Sequence, residues 1–241
     1  MRLTVLGGSG AWPAPGGGCS GYLVEHEGFR VLIDPGYATV PRLLELLPAA
    51  ELDAVLVTHG HPDHCADLNP LLRARVLGGG APALPVHALP GSLDAVLALD
   101  QPPMLDGSYE LHDLAATERI GPFAVRSAGL PHFVPNRGVR LTAGDAALAY
   151  TGDAAAADAV VPLARDAAVF LAEASFVDTV PERQRAGLNT AAEVGRQAAA
   201  AGVARLVLTH LFPTTDHEAA RAAAAASFAG PLDVAVPGLA V

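Results

Sequence analysis

Short apolar runs recur along the chain, and most end in a polar residue that can carry chemistry. The runs 3–6, 21–25, 30–33, 54–57, 84–87, 123–128, 139–142, 147–151, 169–172, 206–209 and 233–236 have the length of buried strands. Between them, apolar positions at helical spacing predict helices over 41–47, 67–76, 92–99, 190–201 and 217–228. Ser92 is the expected N-cap of the third, and Thr190 with Glu193 three positions on forms a capping-box spacing for the fourth. The runs 21–25 and 30–33 face each other as a hairpin around His26-Glu27-Gly28, and a second hairpin turns at Gly144-Asp145. The stretch around His112 has weak periodicity and predicts no element. Strands and helices alternate in both halves without a tandem repeat of fixed length, which is the pattern of a layered α/β protein.

Composition narrows the context. At 241 residues with 51% apolar content the chain can bury a substantial core as one domain. Fifteen basic residues, all arginine, stand against 25 acidic ones for a net charge of −10. That balance gives no general attraction to nucleic acid or an anionic membrane. It leaves room for a local phosphate site, because bound cations carry their own charge. Two cysteines, Cys19 and Cys65, make no disulfide framework. No apolar segment has the length of a signal-peptide core or a membrane span, so the expectation is a cytoplasmic protein without membrane partners.

Chemistry concentrates directly after the run 54–57, in Thr58-His59-Gly60-His61-Pro62-Asp63-His64. Three imidazoles and a carboxylate in one short loop at a strand end are suited to zinc. The helical zinc signature of two histidines around a glutamate does not fit, since no glutamate lies between them and Pro62 interrupts a helix. Cys65 adjoins the motif and reads as a small buried thiol. Asp34, in Asp34-Pro35-Gly36, is open between a turn residue and an acceptor for a metal-bound histidine. Asp67 reads as a residue at the start of its helix. The glycine-rich loop 7–18 lacks nucleotide-binding spacing and is expected at the rim of the site. Later strand ends supply His132, Asp153, Glu173 and His210, as expected when the loops of a sheet build one pocket. His87, His112 and His217 read as structural, with His217 near enough to His210 for a role at the rim.

Taken in order, His59-x-His61-x-Asp63-His64, His132, Asp153 in Tyr-Thr-Gly-Asp, and His210 in Leu-Thr-His resemble the metallo-β-lactamase superfamily over essentially the whole chain. The resemblance implies a single hydrolase domain over 1–241, folded as a four-layer αβ/βα sandwich with two metal ions at one edge of its sheets. It implies that His59, His61 and His132 hold one zinc, that Asp63, His64 and His210 hold the other, and that Asp153 bridges them. Manganese or iron can take the place of zinc. Such a pair holds a hydroxide between its ions and clamps transition-state oxygens. Five neutral imidazoles and two carboxylates leave net positive charge there, which suits anionic or carbonyl substrates. The chain has no dinucleotide fingerprint and no room for a second cofactor domain, so hydrolysis is the expected reaction.

Within the superfamily, Leu-Gly-Gly-Ser-Gly, Leu-Ile-Asp34-Pro-Gly, Leu-Ala-Glu173-Ala-Ser-Phe and Thr190-Ala-x-Glu193 look most like ribonuclease Z and its small phosphodiesterase relatives. Two features depart from that pattern. Where ribonuclease Z has a histidine working with the glutamate, this chain has Leu188 in Gly187-Leu188-Asn189-Thr190. Glu173 is present without that partner, and His217 is the later histidine free to donate a proton. Nineteen residues between Asp153 and Glu173 leave no room for the long arm that grips transfer RNA. The expected activity is therefore a phosphodiesterase or nuclease, with Asp63 orienting the nucleophile and RNA open as a substrate. Hydrolysis of lactones, thioesters or other carboxyl derivatives is the first alternative, and a non-catalytic metal-binding or sensory protein the second. A homodimer is compatible with all three.

Overall fold

Strands buried on both faces need a layer on each side, and this chain builds that arrangement twice. The computed structural model describes residues 1–241. In the first half, β1 (Arg2–Gly7), β2 (Gly21–His26) and β3 (Phe29–Ile33) form an antiparallel meander. Helix α1 (Val40–Leu46) then crosses to β4 (Ala54–Leu56), which pairs parallel to β3. After α2 (Pro62–Cys65) and α3 (Leu68–Leu77), β5 (Leu84–Ala88) continues the parallel set. Helix α4 (Asp94–Leu97) leads to β6 (Tyr109–Asp113), and the sheet runs β1-β2-β3-β4-β5-β6.

The second half repeats this logic. The antiparallel strands β7 (Arg119–Ile120), β8 (Phe123–Leu130), β9 (Asn136–Ala143) and β10 (Ala146–Tyr150) come first. Helix α5 (Val160–Ala164), β11 (Val169–Glu173), α6 (Ala191–Ala201), β12 (Leu206–Thr209), α7 (His217–Ala225) and β13 (Leu232–Val234) add the parallel side. The sheet order is β13-β12-β11-β10-β9-β8-β7.

Alternate residues of single strands go to different cores. On β3, Val31 and Ile33 face the space between the sheets, whereas Leu32 faces α1 and α3; on β11, Leu171 faces inward and Phe170 and Ala172 face α6. The central core joins Tyr22 and Leu56 of the first sheet to Phe123, Leu141 and Tyr150 of the second. Helix, sheet, sheet, helix is the four-layer αβ/βα sandwich expected from the sequence.

Local differences from expectation have physical causes. Pro62 does not prevent a helix but opens one, since the first helical position needs no N–H; His61 is its N-cap. The helix expected over 92–99 shrinks to Asp94–Leu97, because the Ser92 hydroxyl donates to the Leu89 carbonyl and caps nothing. The stretch around His112 is the edge strand β6, whose polar, solvent-facing side chains conceal its period. Asp67 does begin α3, yet its carboxylate accepts from the Thr39 and Val40 N–H groups and so caps α1. The Thr190 capping interaction forms, with Glu193 N–H donating to Oγ1 at 3.1 Å.

Candidate metal centre

The strand ends of both sheets meet at one edge. β4 delivers His59, His61, Asp63 and His64; β8 delivers His132; β10 delivers Asp153; β12 delivers His210. Their donor atoms fall into two groups, each within 4.8 Å: His59, His61, His132 and Asp153, and Asp63, His64, Asp153 and His210. Asp153 belongs to both. Its Oδ2 lies 3.0 Å from His210 Nε2 and its Oδ1 3.2 Å from His64 Nε2, with His59 and His132 Nε2 at 3.9 and 3.8 Å.

Backbone geometry forces several of these approaches. A Cβ on Gly36 would sit 1.9 Å from the Asp63 carbonyl, and one on Gly10 would sit 2.4 Å from that of His210. Asp34 and His210 themselves have φ of 51° and 58°, left-handed conformations that cost of order 1–3 kcal/mol and persist only where the surroundings fix them. The Gly/Pro-rich loop after β1 reaches the site, since Ala11 N–H donates to Asp63 Oδ2 at 2.9 Å.

Hydrogen bonds define the imidazole tautomers. The Thr58 hydroxyl donates to Asp34 Oδ2 at 2.8 Å, so it must accept from His59 Nδ1–H at 3.1 Å. His64 Nδ1 donates to Asp34 Oδ2 at 2.8 Å, and His132 Nδ1 donates to the Gly187 carbonyl at 2.8 Å. The Ser175 hydroxyl donates to the His210 carbonyl, so it accepts from His210 Nδ1–H at 3.0 Å. His59 and His132 Nε2 therefore turn a lone pair into the shared space, whereas His64 and His210 Nε2 face the carboxylate oxygens of Asp153 and Asp63.

Lone pairs cannot hydrogen-bond one another. Yet His61 Nδ1 lies 3.1 Å from His59 Nε2 and 3.0 Å from His132 Nε2, where one proton on His61 could serve only one contact well. Nitrogen ligands at 2.0–2.1 Å around a tetrahedral cation stand about 3.3 Å apart, which is close to this spacing. Asp153 Oδ1 is buried without a hydrogen-bond partner. Burial pushes the pKa values of His59, His61 and His132 down and keeps them neutral. At His64 and His210 burial also opposes charge, but Asp153 and the other nearby carboxylates win and raise both. Neutral imidazoles on one side and two carboxylates gathered among imidazoles on the other are a donor set that fits cations.

Asp34 is completely buried and resolves its sequence ambiguity: besides Thr58 Oγ1 and His64 it accepts from Thr58 N–H at 2.7 Å and from the Tyr150 hydroxyl at 2.9 Å. Glu173 is in neither group. Its carboxylate accepts from Ser175 N–H at 2.8 Å and Asn189 N–H at 2.9 Å, so it braces the loop that carries Ser175. Burial and the Asp153 charge push its carboxyl up to about 7. His217 also stands outside the cluster, exposed in the first turn of α7 beside a groove lined by Ser9, Pro213 and Val236. Leu188 is buried. Cys65 points elsewhere, toward the Gly60 carbonyl, and burial raises its thiol to about 12. Ser175 and Asn136 escaped the sequence reading. Asn136 Nδ2 donates to the Thr151 and Asp153 carbonyls and pins the turn carrying Asp153. Their only sequence signal is proximity to ligand-bearing strand ends.

The two-sheet fold and this cluster define a metallo-hydrolase, and residues 29–211 match the family described as beta-lactamase superfamily domain. The chain belongs to that superfamily. It is 32% identical to the probable metallo-hydrolase YhfI of Bacillus subtilis (strain 168), over 99% of this chain and 98% of the relative. The crystal structure of the metallo-beta-lactamase fold protein YhfI from Bacillus subtilis matches with a TM-score of 0.90 at 29% identity, covering 100% of this chain and 98% of that one. A ribonuclease Z of Kineococcus radiotolerans is 27% identical over 95% of this chain and 90% of its own length. The short form of human tRNase Z shares the fold, with a TM-score of 0.81 at 21% identity over 100% and 98% of the two chains. No helix is long and apolar enough to cross a membrane.

Proposed function

We propose that this metallo-hydrolase is a phosphodiesterase, nuclease activity included, working with two divalent ions, zinc first among them. The observation that carries the reading is the pair of ligand groups that share Asp153. His59, His61 and His132 would hold one ion, Asp63, His64 and His210 the other, with Asp153 between. The ions would supply positive charge against phosphoryl oxygens and lower the pKa of a water. Ribonuclease Z relatives support the phosphodiester class.

The chain's own residues then have separate tasks. Asp34, Ser175 and the Gly187 carbonyl orient His64, His210 and His132. Asp63, held by Ala11 N–H at Oδ2, accepts a proton or hydrogen bond from the attacking water and aims it. Glu173 acts through Ser175 and Asn189 as a positioning residue. Leu188 cannot donate a proton, and His217 stands outside the cluster. Substrates with good leaving groups, such as aryl or cyclic diesters, are therefore favoured over unstrained RNA.

A parallel screen of bis(p-nitrophenyl) phosphate, short RNAs, lactones and thioesters, using zinc- or manganese-reconstituted protein, tests the reading. Fastest turnover of the diester is expected; faster turnover of a lactone or thioester contradicts it. Asp63→Asn at saturating metal should cut turnover by about 100-fold, within the range for losing a positioned acid–base group. Unchanged turnover would remove Asp63 from the reaction.

A further inference from the structure

Of the aromatic side chains exposed near the cluster, Phe133 adjoins His132 at 5.1 Å between ring centroids, and Trp12 sits on a loop held by the ligand segments themselves. The loop 7–18 is tied down by Gly10 N–H donating to the Leu211 carbonyl at 2.9 Å and by Ala11 N–H on Asp63. Ala11 has φ of 60°, and Trp12 N–H donates back to the Gly10 carbonyl at 2.7 Å, closing a tight turn. Trp12 is therefore placed by contacts to the metal-ligand segments, and it stays 44% exposed. One face of its indole stacks on Phe212, with centroids 5.4 Å apart and planes at 25°. Phe212 is backed edge-on by Phe176 at 5.3 Å and stands 6.3 Å from the His210 ring. A contiguous aromatic ledge thus runs from a candidate ligand to an indole that is stacked on Phe212 and yet nearly half exposed.

We propose that Trp12, backed by Phe212, is the platform on which the planar base of a nucleotide phosphodiester stacks while its phosphate lies at the cluster. The inference rests on the phosphodiesterase reading and names the recognition element of that same site. Aromatic rings stack on any base, because every base has a π-face. The need for such a contact follows from charge. A chain of net charge −10 without lysine gives a phosphodiester no long-range attraction, so affinity beyond the cluster must come from the uncharged part of the substrate. The same balance favours a small nucleotide over a long polyanion.

Trp12 is the only tryptophan in the chain, so its emission reports on the platform directly. Zinc-reconstituted protein is titrated with adenosine 5′-monophosphate, ribose 5-phosphate and inorganic phosphate. Saturable quenching by the nucleotide is expected, with binding about tenfold tighter than that of ribose 5-phosphate, in the range of one base–aromatic stack. Emission that ignores the nucleotide, or responds equally to all three, overturns the proposal.

Kinetics give the second arm. Thymidine 5′-(p-nitrophenyl phosphate) and methyl p-nitrophenyl phosphate release the same phenolate and differ in the nucleoside. The preference for the nucleoside ester should fall about tenfold in Trp12→Ala and return in Trp12→Phe. An equal loss on both esters would make Trp12 a structural residue of the loop and overturn the platform. Turnover of neither ester by the wild type would instead count against the phosphodiesterase reading. The fluorescence titration then decides the platform alone, nucleotide quenching supporting it and silence overturning it.

Discussion

The two sheets contribute to the cluster in different ways. The first sheet supplies four of the seven grouped side chains from the single loop 59–64, and Asp34 fixes that loop through Thr58 N–H, the Thr58 hydroxyl and His64. The second supplies His132, Asp153 and His210 from three strand ends, each with its own brace: the Gly187 carbonyl, Asn136 and Ser175. One side has a hub and the other has independent supports. The Tyr150 hydroxyl ties them together, since it reaches from β10 to Asp34. A brace on the first side should therefore affect several ligands when removed, and a brace on the second only one.

Asp34→Ala should have the largest effect. It strands four donors in the interior, and removing one partner of a buried charged network typically costs about 3–5 kcal/mol. Urea unfolding in chelator should show that loss, and a metal-competition titration should show affinity reduced by roughly 10–100-fold. Destabilisation under about 1 kcal/mol, the usual net worth of a single hydrogen bond, would dissolve the hub.

Ser175→Ala should be milder and confined to one ligand group. His210 keeps its place on β12, because its N–H donates to the Gly8 carbonyl at 2.9 Å, but its ring loses the acceptor that sets its tautomer. About a tenfold loss of affinity for one metal is expected, with the other unchanged, as read by stepwise titration. Equal weakening of both metals would show that the second side is not independently braced.

The smallest effect at neutral pH is a stability slope with a source outside the cluster, felt only in acid. His87 lies on β5 beside the strand that leads to His59, with Nδ1 3.0 Å from Thr117 Oγ1 and its ring stacked 4.9 Å from His112. Burial first, and repulsion from His112 second, push its pKa down to about 4. The unfolded chain takes up this proton near pH 6.5 and the folded chain only near 4, so stability rises with pH between those values and is lost as pH falls through them. Thermal unfolding of His87→Gln across that window should show a flatter dependence. A slope equal to that of the wild type would assign the effect to other groups.

The same contrast governs what could be read from the sequence. Strands such as 30–33 and 206–209 were legible because burial on both faces leaves uninterrupted apolar runs. β6 was not, since its residues are mostly exposed and its pairing shows only through β5. The loop 59–64 announced itself by the density of donor residues in so short a stretch. His132, Asp153 and His210 were visible only as polar strand ends taken in order and matched to a family. The roles of Ser175 and Asn136 were illegible, because they depend on contacts with residues far away in the chain. Asp34 was half legible: its turn was evident, but its complete burial, which makes it a hub, belongs to the packing of two sheets.

Joint possession of Asp153 by two metal ions is the central claim, and anomalous scattering tests it most directly. Crystals of zinc-reconstituted protein, measured on either side of the zinc edge, should show two peaks per chain, one within reach of His59, His61 and His132 and the other of Asp63, His64 and His210, with the Asp153 carboxylate contacting both. A single peak at full reconstitution, or two peaks of which Asp153 touches only one, would contradict it.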